Sequence, residues 1–165
     1  WCLGSVFQAA GAADQILHLL GKEVAAPWLP LAVFAVTAVT AFATGSSWGT
    51  MALLMPLALS VLTGGDPAAV PAVAPAVVGA VFGGAVFGDH CSPFSDTTIV
   101  SALAAGCRPL DHVLTQLPYA LTAATAASLA YALMALGTPS LAATVTTGLS
   151  LLLTVFLLTR SGRSG

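Results

Sequence analysis

The chain has 165 residues, of which 58% are hydrophobic and only 6% charged, and its formal net charge is −2. Soluble domains carry about 25% charged residues, so this composition excludes a soluble globule and predicts an integral membrane protein in contact with the lipid bilayer. The sequence has no basic patch, which excludes nucleic acid as a partner. Its three cysteines form neither a CxxC pair nor a disulfide framework.

The chain opens at Trp1 in apolar sequence that has neither the charged region nor the cleavage site of a signal peptide. We therefore expect residues 1–165 to form a single transmembrane domain that is the C-terminal fragment of a larger protein.

Residues 28–62 form a long apolar segment that "TGSSWGT" interrupts at Thr44–Thr50. One straight helix of this length would measure about 53 Å, whereas a hydrocarbon core is about 30 Å thick. The glycines and serines of this string indicate that the helix is interrupted there. Two structures fit: a re-entrant hairpin of two half-helices, or one tilted helix that is unwound at its centre.

Residues 68–106 have the same design, with "DHCSPFSD" between a long apolar arm and a short one. Pro93 disfavours an uninterrupted helix here. Asp96 is predicted to cap the second arm, because its side chain can accept first-turn N–H groups. The small residues of "GAVFGGAVFG" predict a close approach to another helix.

Two ordinary transmembrane spans are predicted near 113–136 and 140–159, by their apolar composition. Arg108 precedes them, and Arg160 and Arg163 follow them. Two spans return the chain to the side on which it started, so these arginines share one side. The positive-inside rule makes that side cytoplasmic.

Broken helices at membrane depth are tolerated only where they are buried or line a polar cavity, and their exposed ends can bind ions. Asp89 lies where the first arm ends, so that its carboxylate and the last carbonyls of the arm converge. Neutral oxygen ligands for a hard cation such as Na⁺ are offered by Ser92, Ser95, Thr97 and Thr98. A carboxylate removed from water favours its protonated form, so one group can exchange a proton for a cation. This pattern predicts cation/proton antiport.

Other chemistries have weaker support in the sequence. His90 and Cys91 are adjacent, but a zinc site usually needs four ligands, so we interpret His90 as a packing residue or a proton relay. Asp96 is the second candidate carboxylate for Na⁺. No nucleophile and base form a recognisable arrangement, so we expect neither an enzyme nor a cofactor.

The strings "ATGSSWGTMALLMPLA" and "GGAVFGDHCSPFSDTTIVSA" resemble the NhaC-type sodium/proton antiporter family, as do "WCLGSVFQAAGAAD" and "DHVLTQLPYAL". The resemblance extends to about Tyr119. It implies an all-α, polytopic secondary transporter of the bacterial inner membrane. The implied fold has two inverted repeats with re-entrant hairpins and discontinuous helices, and this chain would supply the C-terminal repeat.

The resemblance also implies a set of cation- and proton-binding residues. The downstream motif matches at Asp89, Ser92, Ser95, Asp96, Thr97 and Thr98, and the upstream motif matches at Thr44, Ser46, Ser47 and Thr50. Ser46 stands where the family has threonine, a change that keeps the hydroxyl group. The implied partners are Na⁺, H⁺ and the missing N-terminal half of the transporter, and a homodimer is a further expectation.

Two alternatives stay open. The first is Na⁺-coupled transport of an amino acid or organic acid, for which the N-terminus of the arm that begins at Thr97 would suit a carboxylate. The second is a non-transporting membrane fragment, because alternating access requires the other half of such a protein.

Overall fold

The computed structural model describes residues 26–63 and 71–161 of the chain. In these ranges the regular structure is helical, which confirms the predicted all-α class. A 3₁₀ turn at Ala26–Trp28 precedes six α-helices, which are α1 Leu29–Thr44, α2 Ser47–Thr63, α3 Ala74–Cys91, α4 Asp96–Ala105, α5 Pro109–Ala135 and α6 Ser140–Ser161.

Proline and glycine set several of these helix boundaries. Pro30, Pro75 and Pro109 lie in the first turns of α1, α3 and α5, where a backbone N–H has no partner within the helix. Helices α1 and α4 end at Gly45 and Gly106, which adopt the left-handed conformation with φ of 66° and 67°. The break predicted in the first long segment lies between α1 and α2, at Gly45, and the break predicted in the second lies at residues 92–95, between α3 and α4.

Helices α1 and α3 approach each other so closely that side chains are excluded at two glycines. A Cβ on Gly84 would lie 3.0 Å from the Cβ of Thr37, and one on Gly88 would lie 2.8 Å from the backbone nitrogen of Phe42. It would also collide with the carbonyl oxygen of Ala38. This contact confirms the predicted close approach of the small-residue stretch.

The order of contacts gives the relative directions of α1, α2 and α3. Along α1, Phe34 faces Gly84 and Ala38 faces Gly88, so α1 and α3 run side by side in the same direction. The first residue of α1, Leu29, shares a buried cluster with Ala58 near the end of α2. Helix α2 therefore turns back and runs antiparallel to α1, with α3 packed against both.

Helix α5 runs antiparallel to α3. The Gln116 side chain near its start bonds the carbonyl of His90 at the end of α3, whereas Tyr131 near its end faces Gly79 at the start of α3. The first turns of α5 extend beyond α3, and α4 packs against α5. Helix α4 therefore continues away from α3 rather than folding back along it, and α6 packs on α5.

By length and composition, α3 and α5 are long and apolar enough to cross a membrane. The segments predicted near 113–136 and 140–159 form the helices α5 and α6, and the crossing of the membrane by α6 stays a prediction. The orientation argument rests partly on the side chains of Arg160 and Arg163, which lie outside the described residues. Arg108 is described, and its guanidinium makes two hydrogen bonds with Asp111, at 2.8 and 2.9 Å. The cytoplasmic assignment stays a prediction.

The contact between α1 and α3 predicts opposite outcomes for two glycine substitutions. Gly88→Ala should destabilise the fold by about 1–3 kcal/mol, because the added methyl group overlaps the α1 backbone. Gly148→Ala in α6 should be neutral or slightly stabilising, because no atom lies within 4 Å of the added Cβ. Thermal unfolding in detergent compares the two variants with the wild type. Equal effects would contradict the close approach.

Candidate cation site

The two predicted breaks contact each other. The backbone N–H of Asp96 donates a hydrogen bond to the carbonyl oxygen of Gly45 at 3.3 Å. A Cβ on Gly45 would lie 3.1 Å from the Phe94 carbonyl oxygen and 3.3 Å from the Cα of Ser95. These contacts bring the C-terminal ends of the parallel helices α1 and α3 close together. The ends of α1 and α3 and the starts of α2 and α4 therefore converge.

Asp89 is the buried carboxylate at this junction, with 1% of its surface exposed. Its Oδ2 accepts a hydrogen bond from the Thr97 hydroxyl across the break. Its Oδ1 and the hydroxyl of the fully buried Ser92 have no hydrogen-bond partner among the described residues. An unpaired buried polar group costs about 1–3 kcal/mol, so two such groups within three residues point to a ligand.

The start of α4 differs from the prediction. The N-cap residue is Ser95, whose backbone is extended and whose hydroxyl accepts the Thr98 N–H at 3.1 Å. Asp96 is already helical and exposed, and its carboxylate accepts the N–H of Thr97 at 2.8 Å. The predicted bond from Asp96 to a first-turn N–H is therefore confirmed, but its assignment as the cap is wrong. The reason is that a serine one residue earlier occupies the cap position.

The upstream hydroxyl groups connect α1 to α2. Thr44 and Thr50 share a hydrogen bond between their hydroxyl oxygens at 3.2 Å, and the Ser46 hydroxyl accepts the N–H of Gly49 at 3.3 Å. Thr50 and Ser47 are buried, whereas Thr44 is exposed. These bonds lie within the connection of α1 to α2. This connection contacts the break between α3 and α4 through Gly45.

His90 faces a different part of the molecule from Asp89. Its ring Nδ1 donates to the carbonyl of Val86 at 2.8 Å. With Gln116 and Tyr119 it lines a mainly apolar groove of about 580 Å³ between α3 and α5. The relay role of His90 stays a prediction. Over the described ranges, no three His, Cys, Asp or Glu side chains are grouped to hold a metal ion.

The contact of Gly45 with Phe94 and Ser95 is a feature of the junction that the sequence did not reveal. A glycine in a polar break indicates the end of a helix, but its contact with Phe94 and Ser95 depends on the packing of α1 on α3. The sequence also did not reveal the hydrogen bond from the Gln116 side chain to the His90 carbonyl, because this bond joins distant parts of the chain.

The junction predicts a difference between two glycines of equal backbone conformation. Gly45→Ala and Gly106→Ala both place a side chain at positive φ, which costs about 1–2 kcal/mol. Only the methyl group at Gly45 also meets a neighbour, since nothing lies within 4 Å of a Cβ on Gly106. Thermal unfolding should therefore show a larger loss for Gly45→Ala, by about 1 kcal/mol or more. An equal loss in both variants would show that the two breaks are not in contact.

The chain is similar in sequence to a known protein family and to one curated protein. Residues 1–136 match the model of the Na⁺/H⁺ antiporter family. An uncharacterized protein of Haemophilus influenzae is 36% identical over 156 residues, which are 94% of this chain and 29% of that protein. The chain thus spans less than a third of the length of this relative. No solved structure is significantly similar. The family match covers most of the chain and includes both breaks, and the chain belongs to the Na⁺/H⁺ antiporter family.

Proposed function

We propose that the protein carrying this chain exchanges Na⁺ for H⁺ across the bacterial inner membrane. In this proposal Asp89 binds the cation and the proton alternately. The observation that carries the proposal is the unpaired Oδ1 of a carboxylate that is 1% exposed, with the unpaired Ser92 hydroxyl three residues along. A buried charge requires a partner, and either a cation or a proton supplies one.

The chemistry of the junction favours a hard monovalent cation. Its available ligands are one carboxylate, hydroxyl groups and backbone carbonyls, which are the oxygen ligands that hard cations prefer. Helix α3 ends at the junction, and the partial negative charge of its last carbonyls favours a cation there. A single buried carboxylate balances one positive charge, so Na⁺ and H⁺ each neutralise the site and compete for it.

We infer that α1 and α2 form a re-entrant hairpin, whereas α3 and α4 are two halves of one discontinuous membrane helix. The hairpin is supported by the packing of Leu29, the first residue of α1, against the cluster that contains Ala58, near the end of α2. A 16-residue helix such as α1 is about 24 Å long, short of a 30 Å hydrocarbon core. The discontinuous helix is supported by the course of α4, which continues away from α3 and leads to the start of α5.

The two aspartates have different roles in this proposal. Asp96 is exposed and its carboxylate occupies the N–H of Thr97, so it stabilises the start of α4 rather than binding the transported ion. Thr98 contributes its backbone N–H to the Ser95 cap. The hydroxyl groups of Thr44, Ser46 and Thr50 form hydrogen bonds within the connection of α1 to α2, where Ser47 is buried, and so fix the shape of the hairpin tip. The carbonyl groups of this tip complete the ion's shell.

The transport cycle follows from competition at Asp89. On the side of high Na⁺ concentration, the cation displaces the proton from the carboxylate. After reorientation, a proton displaces the cation on the other side. Alternating access needs a second structural repeat, so we propose that a further N-terminal part of the same protein completes the transporter, which binds no cofactor and is not an enzyme.

Reconstitution of the complete polypeptide in proteoliposomes tests the proposal. Na⁺ addition should cause a pH change, and Asp89→Asn should abolish it, because the isosteric amide cannot exchange a cation for a proton. Asp96→Asn is the matched control, since it changes an exposed carboxylate seven residues away in the same break. It should retain exchange within about threefold, because the hydrogen bond of Asp96 to the Thr97 N–H contributes about 1 kcal/mol to stability rather than to ion binding.

The outcomes separate the rival functions. Wild-type exchange in the Asp89→Asn variant would refute the site assignment. Na⁺ uptake that requires an added amino acid or organic acid, without a pH change, would favour Na⁺-coupled substrate transport. An absence of any Na⁺ flux in the complete protein would favour a non-transporting membrane protein.

A further inference from the structure

The hydroxyl group of Ser101 in α4 is exposed and, over the described ranges, has no hydrogen-bond partner. Accessible hydroxyls on other helices are bonded to their own backbone. Those of Thr40, Thr122 and Thr146 each donate to the carbonyl four residues earlier, at 2.8, 2.6 and 2.8 Å. Such a bond satisfies a hydroxyl that faces lipid, where no water is available. The free hydroxyl of Ser101 therefore indicates polar surroundings on this side of α4.

Ser101 and Thr97 lie within the hydrocarbon layer, as their distance from the end of α4 shows. The ion pair of Arg108 and Asp111, whose side chains are 81% and 44% exposed, belongs at the membrane surface, because such charges are costly in lipid. Helix α4 ends just before this pair, at Ala105. With a rise of about 1.5 Å per residue, Ser101 lies about 6 Å and Thr97 about 12 Å deeper than Ala105.

Thr97 connects this side of α4 to the buried Asp89. It lies four residues before Ser101, and residues four apart share one face of a helix. The Thr97 side chain is exposed, yet its hydroxyl donates to Oδ2 of Asp89. The exposed carboxylate of Asp96 accepts the Thr97 N–H at 2.8 Å and so lies at the same inner end. A single side chain therefore separates Asp89 from the surface of α4.

The neighbouring helices leave this face of α4 uncovered. Helix α4 packs on α5, and its buried residues Thr98 and Ala102 lie on a different face from Ser101. Helices α1 and α3 end at the junction, whereas α4 continues beyond it. In the opposite direction the backbones of α1 and α3 are in contact at Gly88, directly before Asp89, and leave no passage between them.

We propose that the face of α4 formed by Thr97 and Ser101 lines a water-filled access path, through which Na⁺ and H⁺ pass between Asp89 and the membrane surface that carries Arg108. This inference rests on the proposed function, since it takes Asp89 as the exchange site. Water in the path supplies the partner that the Ser101 hydroxyl lacks. It also hydrates the cation until the cation reaches the unpaired oxygens of Asp89 and Ser92.

Leu103 provides a matched control position on the same helix. It follows Ser101 by two residues, which is a rotation of about 200°, so the two side chains point to nearly opposite sides of α4. Leu103 is large, apolar and 74% exposed, and it lies nearer to the end of α4 than Ser101 does. We therefore expect Leu103 to face lipid or another apolar surface, although it is the shallower of the two.

Thiol labelling of the complete protein in proteoliposomes tests the path. Three otherwise cysteine-free variants keep native Cys107 or carry Ser101→Cys or Leu103→Cys. Cys107 is exposed beside Arg108 and identifies the side of the membrane from which that surface is reached. A charged, membrane-impermeant reagent reacts with the thiolate, which forms in water rather than in lipid. Ser101→Cys should react from the same side as Cys107, and about tenfold or more faster than Leu103→Cys.

The same label tests whether the ions use this path. A bulky cationic group attached to the Ser101→Cys variant should reduce its Na⁺-driven pH change about tenfold or more relative to the unlabelled variant, because the group obstructs a narrow polar passage. The variant that keeps Cys107 is the control, since this residue lies beyond the end of α4. Its exchange should stay near the unlabelled value after labelling.

Three results would overturn the inference. An unreactive Ser101→Cys would show that lipid or another part of the protein covers this face. Equal reaction of Ser101→Cys and Leu103→Cys, or reaction from the side opposite to Cys107, would exclude a path along one face to this surface. Undiminished exchange after complete labelling of Ser101→Cys would show that the ions pass elsewhere. Failure of the proposed function is distinguishable, because labelling requires no transport: Ser101→Cys would still react as expected, whereas Asp89→Asn would not alter the flux.

Discussion

The backbone contact between α1 and α3 is the constraint on which the rest of the structure depends. At Gly88 the carbonyl oxygen of Ala38 occupies the space that a side chain would need. The two helices run in the same direction at this distance, and contacts at the junction bring their C-terminal ends close together. The Gly45 carbonyl can then accept the Asp96 N–H, and this bond joins the backbones of the two breaks. In an apolar environment such partners are essential, since water is not available to replace them.

The Asp89 carboxylate is buried in the interior without a neighbouring positive charge among the described side chains. A buried charge is costly unless hydrogen bonds and a counter-charge accompany it. Asp89 receives a hydroxyl donor from α4 on one oxygen, and the other oxygen is left without a partner among the described side chains. A carboxylate whose two oxygens both accept hydrogen bonds from the protein would gain less from binding an ion. The incomplete satisfaction of Asp89 is therefore the structural basis of the proposed exchange.

Much of the fold could be predicted from local sequence, whereas the roles of individual site residues could not. Apolar length and the glycine and proline positions predicted both interruptions and the two final helices. Asp89 and Asp96 are equivalent in such an argument, since both are carboxylates in the same polar string. The structure buries Asp89, which lies on the covered face of α3, and exposes Asp96, which lies in the first turn of α4. The cap assignment failed because Ser95 and Asp96 are both good cap residues and adjacent, and local propensity does not choose between them.

The sequence by itself determined the membrane class, the positions of the helix breaks and the supply of carboxylate and hydroxyl oxygens around them. These properties follow from composition and from the local preferences of glycine, proline and apolar runs. Only the tertiary structure decided that α2 returns along α1, that the two breaks meet, and that one oxygen of Asp89 is engaged while the other is free. The physical reason is that these features depend on contacts between residues far apart in the chain, such as Gly45 with Asp96, and local sequence does not encode which distant backbone a glycine will meet.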